Sequence, residues 1–155
     1  MILYLVQHGD AVSEDENPQR PLSDLGRTQT EKTAAFATAS GAVDVQVIYH
    51  SGKLRAQQTA EILERQIQPK NGVQQTDGMA PNDDPQIWTG RLADMQDDIM
   101  LVGHLPHLSR LAARLLCGNS VQEVVQFQNA GIVCLERDID LIWGVSWAVI
   151  PRILA

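Results

Sequence analysis

Apolar and polar positions along the chain fall into blocks that predict strands and helices in turn. Met1–Val6 is almost wholly apolar, the pattern of a strand buried on both faces. Asp10–Pro21 is polar, contains Pro18 and Pro21, and reads as a loop. Ser23 then offers a capping hydroxyl, and a helix is predicted over Asp24–Ala39. Val45–Tyr49 is a second short strand, with Ser51 the expected cap of a helix reaching Gln66. Val73–Thr76 gives a third strand, Asp77–Pro85 a turn-rich stretch, and Pro85–Met95 a weaker helix. Ile99–Val102 is another buried strand, and Pro106 suits the first turn of a helix ending near Cys117-Gly118.

The C-terminal part changes character. Val121–Phe127 fits either a short helix or a strand, and Gly131–Arg137 and Asp140–Val149 read as two paired strands. In the second, a period of two puts Trp143, Val145, Trp147 and Val149 on one face. Strands therefore alternate with helices first, and an antiparallel pair closes the end. The expected fold class is α/β: a single domain over residues 1–155, a three-layer α/β/α sandwich with a mostly parallel sheet and an antiparallel edge strand.

Composition adds limits. A length of 155 residues is enough for one buried core. No apolar run approaches a membrane span, and no basic region followed by a long apolar stretch opens the chain. The expectation is a cytoplasmic protein without a signal peptide or a membrane partner. A net charge of −7 argues against nucleic acid as a partner, because a phosphate backbone needs a basic face. It leaves room for a few arginines to make one cleft locally positive. Cys117 and Cys134 form no ligand or disulfide pattern and are expected as two reduced, buried, small hydrophobes.

Three fragments carry the chemistry. His8 follows the first strand and precedes Gly9, at the strand end where open α/β sheets bind ligands. A neutral imidazole there can attack phosphorus and hold the phosphoryl group, although the position alone suits a structural histidine better. Arg55 lies in the first turn of the helix expected to open at Ser51, where free N–H groups already favour an anion and a guanidinium fork matches phosphate oxygens. His104 repeats the first pattern: apolar strand, Gly103, histidine, then a proline-led helix. It can donate a hydrogen bond to a phosphoryl oxygen. His104 and His107 stand three apart, but the further ligands a metal needs are not arranged around them, so no metal or other cofactor is expected. His107 is expected to be exposed, and His50 to be a surface or satisfied histidine.

Together these fragments resemble the histidine phosphatase superfamily, with its phosphoglycerate-mutase-like fold. Within it, His8-Gly9-Asp10-Ala11, Arg20-Pro21-Leu22-Ser23-Asp24-Leu25-Gly26, Leu54-Arg55-Ala56-Gln57-Gln58-Thr59 and Gly103-His104-Leu105-Pro106 look like the SixA-like phosphohistidine phosphatases. The resemblance implies His8 as nucleophile, with Arg55 and His104 binding the phosphoryl group. It implies a phosphorylated partner too: phosphohistidine on a signalling or phosphorelay protein. The residues by themselves say only phosphomonoester or phosphoramidate.

Gln7 departs from the pattern, because the family has an arginine immediately before the nucleophile. Glutamine donates hydrogen bonds from its amide but carries no charge, so Gln7 is expected to help Arg55 and His104 hold the phosphoryl oxygens, as a weaker ligand. Losing one preorganised donor costs roughly a hundred- to thousand-fold in rate. The departure leaves three readings open: a slower pocket, a pocket using another cation such as Arg20 or Arg27, or a binding site without turnover. The general acid is open too, with Asp10, Asp83 and Asp84 as candidates. Its strength matters less for phosphohistidine, since imidazole leaves more easily than an alkoxide. A broad small-molecule phosphatase is the remaining rival.

Overall fold

The computed structural model describes residues 1–155. In chain order its elements are β1 (Ile2–Gln7), α1 (Asp24–Ala39), β2 (Val47–His50), α2 (Leu54–Ile67), β3 (Val73–Gln75), α3 (Gln86–Asp94), β4 (Ile99–Gly103), α4 (His107–Cys117), β5 (Ile132–Arg137) and β6 (Trp143–Val149). The strands make one sheet in the order β3-β2-β4-β1-β5-β6. The first four run parallel; β5 pairs antiparallel with β1, and β6 antiparallel with β5. The antiparallel pairing is thus confined to one edge of the sheet.

The pleat sorts the core into two layers. On β1, Tyr4 and Val6 join the cluster that holds Ala34 and Ala37 of α1 and Ala56, Ala60 and Leu63 of α2. Leu3 and Leu5 point the other way, into the cluster of Trp88 and Leu92 from α3 and Leu108 and Leu111 from α4. Small residues on α1 and α2 let both helices lie close to the sheet and to each other. The start of α1 approaches the loop after β1 so tightly that a Cβ on Gly26 would lie 2.0 Å from the Asp10 carbonyl oxygen. Only glycine fits there, and the contact fixes where the chain after His8 can go.

Ser23 caps α1 as expected, its hydroxyl accepting from the Gly26 N–H at 3.0 Å. Elsewhere local signals misled. Ser51 does not cap α2, which begins after Lys53; its hydroxyl is bound to His104 instead. Pro106 occupies the N-cap position of α4 rather than its first turn, and the Leu105–Pro106 peptide is cis. Val121–Phe127 is irregular, neither helix nor strand. Cys134 is buried, which pushes its thiol up to about 11, but Cys117 is exposed near the end of α4.

The period of two in β6 is also broken. Cys134 pairs with Trp147 while Leu135 pairs with Val145, leaving Ser146 as an extra residue. That bulge swaps the faces of the strand. Trp147 therefore packs with Tyr4 and Phe36 on the α1/α2 side, and Trp143 stacks with Arg137 on the other.

Candidate active site

β1 and β4 are parallel neighbours with Gln7 opposite Gly103, so His8 and His104 leave the sheet side by side. The His8 N–H donates to the Gly103 carbonyl at 3.1 Å, and the two imidazole centroids are 5.0 Å apart. β2 flanks β4 on its other side, and its chain turns through Ser51–Lys53 into α2. That turn brings Arg55 over the histidines: its Nε–H donates to His8 Nε2 at 3.2 Å. The structure therefore brings together all three side chains singled out in the sequence.

The local contacts set the protonation of His8. Its Nδ1 lies 2.7 Å from the Gly9 carbonyl oxygen, which can only accept, so Nδ1 carries the proton. Nε2 is left with its lone pair, turned toward Arg55. Burial lowers the His8 pKa to about 4, the Gly9 carbonyl opposes that shift, and the charges of Arg55 and Arg20 add to it. His8 is a neutral imidazole at neutral pH, the form a nucleophile needs.

His104 is fully buried. Its Nε2 is 2.6 Å from the Ser51 hydroxyl, and its Nδ1 has no partner. Burial, then the positive charges around His8, Arg55 and Lys53, bring its pKa down to about 3. An anion placed between these groups would favour the protonated ring and give it a hydrogen bond to make.

Several residues that the sequence did not single out hold these side chains. The Thr59 hydroxyl accepts from the Gly9 N–H at 2.9 Å and donates to the Arg55 carbonyl at 2.7 Å. It ties the loop after the nucleophile to the helix of the arginine. Gln58 accepts from the Leu22 N–H at 2.8 Å, pinning the other end of that loop to α2. Ser51 fixes the ring of His104. Thr59 and Gln58 lay inside the fragment around Arg55, so their helical spacing was the available signal.

Gln7, at the end of β1, has no hydrogen bond to either histidine; its side chain is bound to Asn129. Its amide donates to the Asn129 side chain at 2.5 Å, and its own Oε1 is buried without a partner. Of the candidate acids, Asp10 accepts from the Ser23 hydroxyl at 2.5 Å, and its charge reaches His8. Asp83 accepts from the Ala80 N–H and Asp84 from the Gln86 N–H, so both shape the turn before α3. Arg27 is exposed on α1, whereas Arg20 is partly buried beside the pocket.

His107 corrects an expectation. It is fully buried, not exposed, and neither ring nitrogen has a hydrogen-bond partner. Burial lowers its pKa, opposed by the nearby Asp83 and Asp84 carboxylates. His50 is a satisfied histidine, its Nδ1 accepting from the Gly52 N–H at 3.1 Å. No group of three or more His, Cys, Asp or Glu side chains is placed to hold a metal ion. No helix is long and apolar enough to cross a membrane.

Beside Arg55 opens a cleft of about 380 Å³, lined by Pro18 and Gln19 on one wall and Gly52, Lys53, Leu54, Arg55 and Gln57 on the other. It offers cations and no carboxylate. Another hollow, between Leu105–Arg110 and Ser120–Glu123, holds neither histidine nor a cation cluster.

Comparison with known proteins agrees with this geometry. The protein histidine phosphatase SixA, solved with tungstate, superposes with a TM-score of 0.85 at 21% identity, covering 98% of each chain. A putative phosphohistidine phosphatase SixA from Agrobacterium tumefaciens gives 0.77 at 20% identity, covering 96% of each. A putative alpha-ribazole-5'-P phosphatase from Escherichia coli gives 0.75 at 17% identity, covering 94% of each. No curated protein matches the chain significantly in sequence. The sequence model of the histidine phosphatase superfamily (branch 1) matches residues 3–80, which hold His8, Arg20, Arg55 and Thr59. With half the chain matched in sequence and the whole of it in fold, the protein belongs to the histidine phosphatase superfamily.

Proposed function

We propose that this chain is a metal-independent phosphatase that works through a phospho-His8 intermediate on phosphohistidine carried by a signalling or phosphorelay protein. The observation that carries the reading is the fixed tautomer of His8: Nδ1 bound to a carbonyl, Nε2 free and beside a guanidinium. In the first step Nε2 attacks phosphorus, and the bond from phosphorus to the substrate nitrogen breaks. The leaving imidazole takes up a proton, from Asp10 or from solvent. Arg55 and His104 hold the phosphoryl oxygens while charge moves between them. In the second step water attacks phosphorus, His8 leaves as a neutral ring, and the water proton passes to solvent. Residues 1–155 act as one unit in this scheme.

Phosphohistidine is preferred to an alcohol ester because Asp10, Asp83 and Asp84 each accept a hydrogen bond within their own loops, and imidazole needs weaker acid help than an alkoxide. The open cleft beside Arg55 also suits a protein surface better than an enclosed metabolite. A second reading has its own observation. Position 7 is uncharged, and its amide is already bound to Asn129, which favours a binding protein that holds phosphate without turnover.

Rapid quench with labelled phosphohistidine protein decides between them. Acid-labile phosphate should appear on His8 and be absent from His8→Ala. Binding without labelling would support the second reading, and full turnover by His8→Ala would overturn the mechanism. Faster turnover of an aryl phosphate than of the phosphohistidine protein would assign the site to small molecules.

A further inference from the structure

Arg20 adopts a conformation that an arginine rarely takes. Its φ is +49°, in the left-handed region where glycine or asparagine is the ordinary choice. Strained residues of this kind persist where the surroundings hold them for a purpose. Here the surroundings are well defined. The Arg20 Nε–H donates to the Val12 carbonyl at 3.2 Å, and the Val12 N–H bonds back to Pro21. Ala11 and Leu22 form an isolated antiparallel bridge. Leu22 is in turn held by Gln58, one helical turn from Arg55. Arg20 is thus fixed at the neck of a closed loop pinned to the arginine helix. Its neighbours Pro18 and Gln19 form the cleft wall that faces Lys53 and Arg55.

The guanidinium itself is underused. Only its Nε has a hydrogen-bond partner; no contact occupies its terminal nitrogens, and no carboxylate pairs with it. Its charge acts on both His8 and Arg55, lowering the pKa of each. A cation held beside another cation, without a counter-ion, fits a site whose anion comes from outside.

We propose that Arg20 is the second cationic ligand of the phosphoryl group, supplying from the loop after β1 the charge that position 7 lacks. The proposal rests on the phosphate pocket described above. It also accounts for Gln7: with charge delivered from the other side, position 7 is free to bind Asn129 and anchor the segment leading into β5.

The test uses the whole chain and tungstate as the probe, with affinity read by calorimetry and turnover read on the phosphohistidine protein. Arg20→Asn tolerates the left-handed backbone but removes the charge. It should weaken tungstate binding at least tenfold and slow turnover, with a melting temperature no lower than wild type. Arg20→Lys should keep most of the affinity. Gln7→Arg should gain little in the wild type but recover much of the loss in Arg20→Asn, because the two positions then share one task. If Arg20→Asn binds tungstate as wild type does, this proposal falls and the pocket stands. If Arg20→Lys binds as weakly as Arg20→Asn and both melt early, Arg20 only holds the loop, and the proposal is overturned. A wild type that binds no tungstate overturns the pocket and this proposal together.

Discussion

At the scale of single residues, the site depends on fixed protonation and on one threonine. His8 ionises at about 4 in the folded chain, against about 6.5 for free imidazole. The unfolded state therefore binds more protons between those values, and the group's contribution to stability is present above 6.5 and lost as pH falls through 4. His104, lowered to about 3, acts in the same direction. The value of kcat/KM should accordingly stay level from neutral pH down to about pH 5 and fall near 4, since it reports the free enzyme. A limb near 6.5 in the pH–rate profile would mean that His8 is not shielded as described. Thr59 gives a second prediction. Thr59→Val keeps the shape but leaves the buried Gly9 N–H without an acceptor. Stability should drop by about 1–3 kcal/mol in chemical denaturation. The loop carrying His8 should loosen, so kcat should fall more than KM rises.

At the scale of elements, the helix ends divide into those that serve the site and those that serve the fold. α2 begins without a side-chain cap, and its first turn points at the histidines. The other end of the sheet has a different device. Arg137, buried at the end of β5, donates to the Leu92 carbonyl at 2.6 Å, to Ala93 at 3.3 Å and to Met95 at 2.6 Å. It closes the last turn of α3, where carbonyls lack partners inside the helix. Its backbone N–H bonds to Met1, so it lies at the opposite end of β1 from His8. Arg137→Met should cost about 2–4 kcal/mol in urea unfolding, because it strands buried carbonyls. Activity per folded molecule should be unchanged. A large loss of kcat at full stability would mean that the two ends of the sheet are coupled.

At the scale of the whole molecule, an acidic protein of net charge −7 has one cleft that is lined by Lys53 and Arg55 and by no carboxylate. In the proposed mechanism Arg55, Lys53, Arg20 and the start of α2 supply the field that a metal ion supplies in other phosphatases. Turnover should therefore be unchanged, within twofold, after exhaustive treatment with a chelator. Loss on chelation with recovery on one divalent ion would contradict the scheme. The fold class was legible because the central strands β1, β2 and β4 are largely buried on both faces, each followed by a polar turn or a glycine. The bulge at Ser146 was not legible: a period of two in β6 looks the same whether or not its partner strand skips a residue. Ser51 misled for a related reason, since a hydroxyl before a helix fits a cap equally well as a partner for a distant histidine.

The sequence by itself determined the alternation of strands and helices and the layering of the core, and it singled out His8, Arg55 and His104, which the fold brings together. Those follow from local periodicity and from residue types at strand ends, which any reading of the chain can see. The tertiary structure decided what depends on groups far apart in sequence. It set the tautomer of His8, the pairing of His104 with Ser51, and the burial of His107. It turned Gln7 toward Asn129, 122 positions away. It also held Arg20 in the loop whose Pro18 and Gln19 line the cleft with Arg55. Local sequence constrains φ, ψ and burial through short-range sterics and hydrophobicity. Protonation and charge placement are set instead by neighbours that only folding brings within hydrogen-bonding or Coulomb range.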